Sequence, residues 1–222
     1  GNDTDGTTMI DLSWTAPTGD TDYVEIWRKG YGDYPEYDDC SGTEPTGPVS
    51  TANGWTLVAT VDTADPPAYT DEPADRDFWY YAAYVVDGCG NVSPVSDITD
   101  GTLNYHLGDV TDLVTPGEGD NDVMTADLSL LGFNYGASLT PCGDPLNYLD
   151  VGPTTDLSVD ARPTTDNELQ FEDLMVFALN YNQVSKSHEA PRPAAANALA
   201  LEVTPAAGDG KTLEVAVRMA GD

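Results

Sequence analysis

Residues 109–135, DVTDLVTPGEGDNDVMTADLSLLGFNY, and residues 150–181, DVGPTTDLSVDARPTTDNELQFEDLMVFALNY, follow one plan twice. A shift of 46 residues sets Asp120, Asp127, Leu128, Asn134 and Tyr135 onto Asp166, Asp173, Leu174, Asn180 and Tyr181. Each copy opens on an Asp-Val pair, Asp109-Val110 or Asp150-Val151, continues through an acidic stretch and closes on a helical apolar pattern. A duplication of this kind predicts one loop-helix unit used twice and packed against itself.

The spacing suggests a chemistry. In a calcium loop of the EF-hand type, side-chain oxygens at positions 1, 3, 5 and 12 and a main-chain carbonyl at position 7 surround a hard cation. Asp120 to Asp127 and Asp166 to Asp173 each supply the separation of seven between positions 5 and 12. The core-facing position 8 is Val123 in one copy and Leu169 in the other. Asp127 and Asp173 open the exiting helices, where a carboxylate also favours the helix dipole. A solvated acidic surface is the plainer reading of so many carboxylates, and the repeated spacing argues against it.

This region resembles a dockerin, the small calcium-binding module of bacterial cell-surface and cellulosome proteins, through Asp109, Asp120, Asp127, Asp150, Asp166 and Asp173 and the helices LSLLGFNY and LMVFALNY. The resemblance implies calcium, two ions, held by Asp109, Asp120, Asp122 and Asp127 in the first loop. In the second it implies Asp150, Asp156, Asp166, Glu168 and Asp173, with Asp112 and Asp160 also near enough in sequence to contribute. Position 1 lies eleven residues before Asp120 and sixteen before Asp166, so both loops carry insertions. Position 6, usually Gly, is Asn121 or Asn167, and Asn enters the left-handed region more readily than most residues. Where many dockerins present a Ser-Thr pair to a cohesin partner, this chain has Thr125-Ala126 and Phe171-Glu172.

With 222 residues the chain is long enough for two domains. Its 39 acidic and 8 basic residues give a formal net charge of −31, which would repel nucleic acid and anionic membranes alike. A halophilic surface is a competing explanation for the acidity, although the acids are partly clustered in loops. No apolar run reaches eighteen residues, so no membrane span is expected. The chain opens without Met or a signal peptide, as a processed product or a fragment would.

Between residues 7 and 100 the pattern is β: MIDLSWTAP, DYVEIWRKG, GWTLVATV and DFWYYAAYVVD, each bounded by Gly, Pro or Asp. Together these predict a sandwich of about seven short strands. Residues 7–103 resemble a fibronectin type III domain, through LSWTAP with Trp14, YVEIWRK and WYYAAYVVDGCGNVSPVS. Trp14, Trp27, Trp55 and Trp79 are expected in the core rather than on a sugar-stacking platform. The insertion GYGDYPEYDDCSGTEPTGPVSTANG reads as a surface loop.

Cys40 in that insertion and Cys89 in the DGCGN turn are expected to pair, leaving Cys142 free. Such a bridge contributes about 3 kcal/mol and implies an oxidising, extracytoplasmic setting. Asn2 and Asn91 begin N-glycosylation triplets, a weak signal.

The expected organisation is a leader at 1–6, the sandwich at 7–103, the dockerin-like module at 104–184, a linker at 185–197 and a β-strand pair at 198–222. The fold class is therefore mainly β with a small α module. The final pair loosely resembles the opening of a cohesin-like sandwich. Two strands bury no core alone, so they belong to an incomplete domain or pair with another molecule.

His106 and His188 sit in a linker-like turn and a polar tail, and no nucleophile motif accompanies them, so no enzyme is expected. The leading expectation is a secreted or surface-located calcium-binding structural protein. It would assemble head to tail with copies of itself through strand or cohesin-like contacts, glycans being a further possible partner. The alternatives are an accessory or anchoring fragment of a secreted carbohydrate-active enzyme, and a carbohydrate-binding module using tyrosines of residues 31–37.

Overall fold

A computed structural model describes residues 9–32, 41–159 and 161–182 in full, and the backbone of two later strands, 199–205 and 213–217. Among the described residues the chain is mainly β, with two α-helices. In order come β1 (Ile10–Trp14), β2 (Tyr23–Gly30), β3 (Thr56–Asp62), β4 (Ala68–Asp71), β5 (Phe78–Val86) and β6 (Thr102–Leu103). They are followed by α1 (Thr125–Asn134), α2 (Phe171–Asn180), β7 (Leu199–Pro205) and β8 (Leu213–Val217). Two four-stranded sheets result, ordered β4-β1-β7-β8 and β3-β2-β5-β6, and every named pair is antiparallel.

Alternation along β1 and β2 directs Ile10, Leu12, Trp14, Val24 and Ile26 into a core with Tyr81, Ala83 and Val85 of β5. Strand β5 behaves differently from its neighbours. Its sequence FWYYAAYVV hardly alternates, as befits a strand covered on both faces. Its other face sends Phe78, Tyr80 and Ala82 into a second core. That core continues through Trp55, Leu103, Tyr105 and Leu107 to Val110, Val123, Leu131, Leu149, Leu169 and Phe177 of the loop-helix region. The sandwich and the duplicated unit are therefore joined by shared apolar packing. Separation of either would expose it to water.

The outer side of β5 is closed without a regular strand. Ser93, Ser96 and Thr99 each donate a main-chain N–H to the carbonyl of Val85, Ala83 or Tyr81, at 2.8, 2.9 and 3.0 Å. Their hydroxyls accept the N–H of those same three residues, at 2.9, 2.8 and 2.9 Å. A side-chain oxygen thus replaces the carbonyl that a partner strand would offer.

Strand β7 pairs with β1, placing Leu12 opposite Val203, and β8 extends the sheet beyond it. The C-terminal strands thus complete this chain's own first sheet, where the sequence suggested an unfinished domain or another molecule.

The cysteines differ from expectation. Cys89 is a free, exposed thiol, so the expected Cys40–Cys89 bridge is not formed. Its turn is closed by Asp87 instead, whose carboxylate accepts the N–H of Cys89 and both the main-chain and side-chain N–H of Asn91. Cys142, expected to be unpaired, is disulfide-bonded. Cys40 is the one cysteine remaining in the sequence, and it lies outside the described residues. The insertion's described end meets the second loop, where Glu44 pairs with Arg162 at 3.5 Å.

Buried aromatics account for Trp14 and Trp55, while Trp27 and Trp79 are half-buried. His106, expected on the surface, is buried. No described helix is long and apolar enough to cross a membrane.

Candidate metal centre

The two loop-helix copies pair across a local pseudo-twofold. Gly136, just after α1, donates its N–H to the carbonyl of Leu169 at 2.7 Å. Asn182, its equivalent after α2, donates to the carbonyl of Val123 at 2.9 Å. Position 8 of each loop therefore binds the exit of the opposite helix. The position 6 residues Asn121 and Asn167 adopt φ of 71° and 66°, the left-handed conformation the sequence called for.

Each helix is opened by its aspartate in the same way. Asp127 accepts the N–H groups of Val110 and Thr111 on one oxygen and that of Met124 on the other. Asp173 does so with Val151, Gly152 and Gln170. These carboxylates tie the start of each loop to the first turn of its helix. A Cβ at Gly152 would approach the Glu172 carbonyl carbon to 2.7 Å, so the second copy needs glycine there.

The two position 1 aspartates diverge. Asp109 is fully buried, and its oxygens accept the N–H of Asp120 at 2.9 Å and of Asn121 at 2.8 Å. It also forms an ion pair with Arg76, which reaches in from the connection between β4 and β5. Arg76 Nη1 donates to the main-chain carbonyl of Asp109 at 2.9 Å, and Nη2 contacts Asn121 Oδ1 at 3.4 Å. In the second loop Asp150 Oδ2 accepts the N–H of Asn167 at 2.7 Å, while Oδ1, also buried, has no well-formed hydrogen bond, the Asp166 N–H making only a weak approach to the carboxylate.

Electrostatics follow this geometry. Burial pushes Asp109 up to about 6, with Arg76 opposing the rise. Burial pushes Asp150 up to about 7; the Asn167 amide opposes the rise, and the neighbouring carboxylates of Asp173 and Asp166 add to it. Asp173 is raised to about 6, chiefly by burial and against three main-chain donors. Burial raises Asp127 as well. Buried carboxyls shifted upward in this way are neutralised either by a proton or by a nearby cation.

The remaining predicted ligands lie toward the rim. Asp120 and Asp166 are exposed, and each accepts the N–H two residues on, from Asp122 and Glu168. Asp122 is half-buried with Oδ1 unpartnered, whereas Glu168 accepts from Ser138 and Gln170 side chains. Asp156 is exposed and closes an inserted turn through the N–H of Ser158; Asp112 does likewise with Val114 and Thr115. Asp160, Asn2 and Cys40 lie outside the described residues. Asn91 is exposed, but its side-chain amide binds Asp87 at 2.7 Å.

Among the described residues, no three His, Cys, Asp or Glu side chains converge enough to hold an ion by themselves. Loops of this kind also use main-chain carbonyls and water. Of the two loops the second has the more open donor set for a hard cation, because a buried Asp150 oxygen there has no well-formed hydrogen bond. The first fits one less well, because Arg76 already supplies the positive charge.

Neither the repeat nor any motif marks Arg76 as part of the site. Its signal is scarcity: with only 8 basic residues against 39 acidic ones, an arginine in PADRDF is a poor candidate for surface filler. Arg28, Arg76 and Arg162 each pair with a carboxylate and lie over an aromatic ring, of Trp79, Tyr105 and Tyr31 respectively.

The chain matches no protein-family profile, no curated protein and no solved structure.

Proposed function

We propose that this chain is a calcium-binding structural protein of an extracellular or cell-surface assembly, with no catalytic role of its own. The observation that carries the reading is the buried Asp150 oxygen that lacks a well-formed hydrogen bond, in the second of two equivalent loop-helix copies. Asp150, with Asp166 and main-chain carbonyls of the loop, would hold the ion, and Asp173 would keep the helix start in register. Bound calcium neutralises the buried carboxylates and fixes the loop. The shared core then transmits that rigidity to the sandwich.

The assembly route is strand exchange. Strand β7 lies against β1 but is joined to α2 through residues 181–198. The same hydrogen bonds form when β7 of one copy enters the first sheet of the next, and such a heterologous contact propagates as a fibre when it does not close. Light scattering on concentrated full-length protein, with and without calcium, tests both parts. Calcium-dependent growth into long particles is expected. A particle that stays monomeric at millimolar calcium overturns the assembly, and absence of calcium binding by calorimetry overturns the metal.

A second reading, the anchoring module of a larger secreted carbohydrate-active protein, is favoured by the solvent face of α2. Phe171, Met175 and Leu179 recur every fourth residue there and are exposed, with Phe133 exposed on α1. An apolar stripe of this sort suits a protein partner. Capture by an immobilised cohesin-type domain, lost in Phe171→Asp, would favour this reading.

A further inference from the structure

We propose that Arg76 is a built-in counter-ion of the first loop, so that the duplicated module takes one divalent cation, in its second loop, and uses the first to hold the sandwich. The inference rests on the calcium reading for the second loop only.

The two loops share their backbone plan but not the electrostatics at position 1. Asp150 keeps an oxygen without a well-formed hydrogen bond, and among the described residues no basic side chain pairs with it. Both oxygens of Asp109 are engaged, and a guanidinium supplies the charge that an ion would bring. Three fixed features make Arg76 part of the architecture. Asn104, fully buried, grips the residues on either side of it, donating to the Asp75 carbonyl at 2.9 Å and accepting the Asp77 N–H at 3.0 Å. Its guanidinium lies 5.1 Å from the centroid of the Tyr105 ring. Gly119 supplies the space, since a Cβ there would run into the guanidinium and the Asp109 carboxylate.

A guanidinium and a divalent ion cannot share one buried carboxylate without strong repulsion. The arginine is tethered, so its effective concentration at Asp109 is independent of the medium. The first loop therefore stays closed on the sandwich whatever the calcium level, while the second responds to it. A cleft lined by Ala74, Asp75, Gly117, Glu118 and Gly119 leads to Arg76 and gives an ion access once the guanidinium is gone.

Calorimetric titration of the chelator-treated full chain with calcium alone tests this, alongside Arg76→Gln, Asp109→Asn and Asp150→Asn. One ion is expected in the unaltered protein and in Asp109→Asn, none in Asp150→Asn and two in Arg76→Gln. Should Arg76→Gln fail to fold, as circular dichroism would show, the Asp109→Asn comparison decides. Two ions falling to one in Asp109→Asn would refute the counter-ion role while leaving the calcium reading intact. No ion in the unaltered protein refutes that reading. If Arg76→Gln then also binds none, the counter-ion proposal falls with it.

Discussion

The guanidinium of Arg76 pairs with the buried carboxylate of Asp109 and also donates to that residue's main-chain carbonyl. One side chain of the sandwich thereby closes the first acidic loop. Removing one partner of a buried ion pair leaves an uncompensated charge and costs about 3–5 kcal/mol. Arg76→Ala in calcium-free buffer is expected to lose stability of that order in urea unfolding. Asp109→Asn, which leaves unpaired a guanidinium that is partly exposed rather than a carboxylate that is fully buried, is expected to lose less. Equal losses would mean that packing rather than charge governs the contact.

Stability in chelator should fall as pH rises from about 4 to about 7. Asp150 and Asp173 titrate near 7 and 6 in the folded chain, against a reference of 3.8. The folded state thus binds more protons than the unfolded state across that window, and its advantage is lost as pH passes the folded values. Saturating calcium should reduce or reverse the slope, because the ion selects the ionised form. Thermal unfolding at several pH values, with and without calcium, measures the difference. Parallel profiles would exclude these carboxylates as its source.

Ser96→Ala should cost about 1–2 kcal/mol, because the buried Ala83 N–H loses the hydroxyl that accepts it at 2.8 Å. Ser96→Thr, which keeps an oxygen, should cost less. If alanine and threonine cost the same, the hydroxyl is not the edge's substitute acceptor.

Alkylation of the native, unreduced protein should label Cys89, with Cys142 reacting only after reduction. Mass mapping that finds Cys89 bridged would contradict this assignment.

Much of the fold was legible in the chain itself. The 46-residue repeat determined two equivalent loop-helix units, and the asparagines at position 6 marked where each backbone turns left-handed. Although the structure decided that Val24 and Ile26, not Tyr23, face the core, the β pattern of MIDLSWTAP and DYVEIWRKG marked the strands. These are local properties, in which a residue's own conformational range or the period of its neighbours sets the outcome.

What the tertiary structure decided are matters of sequence distance. Arg76 and Asp109 lie 33 residues apart, and no spacing rule connects an arginine after β4 to a loop two elements later. The pairing of β7 with β1 joins opposite ends of the chain, and two alternating strands look the same in sequence whichever sheet receives them. FWYYAAYVV offered a hint, since its unbroken apolar run implies two covered faces, but only packing revealed that the second cover is the duplicated unit. The difference between the two loops has the same origin. Their position 1 aspartates are chemically identical, and one receives a guanidinium because the sandwich docks beside it.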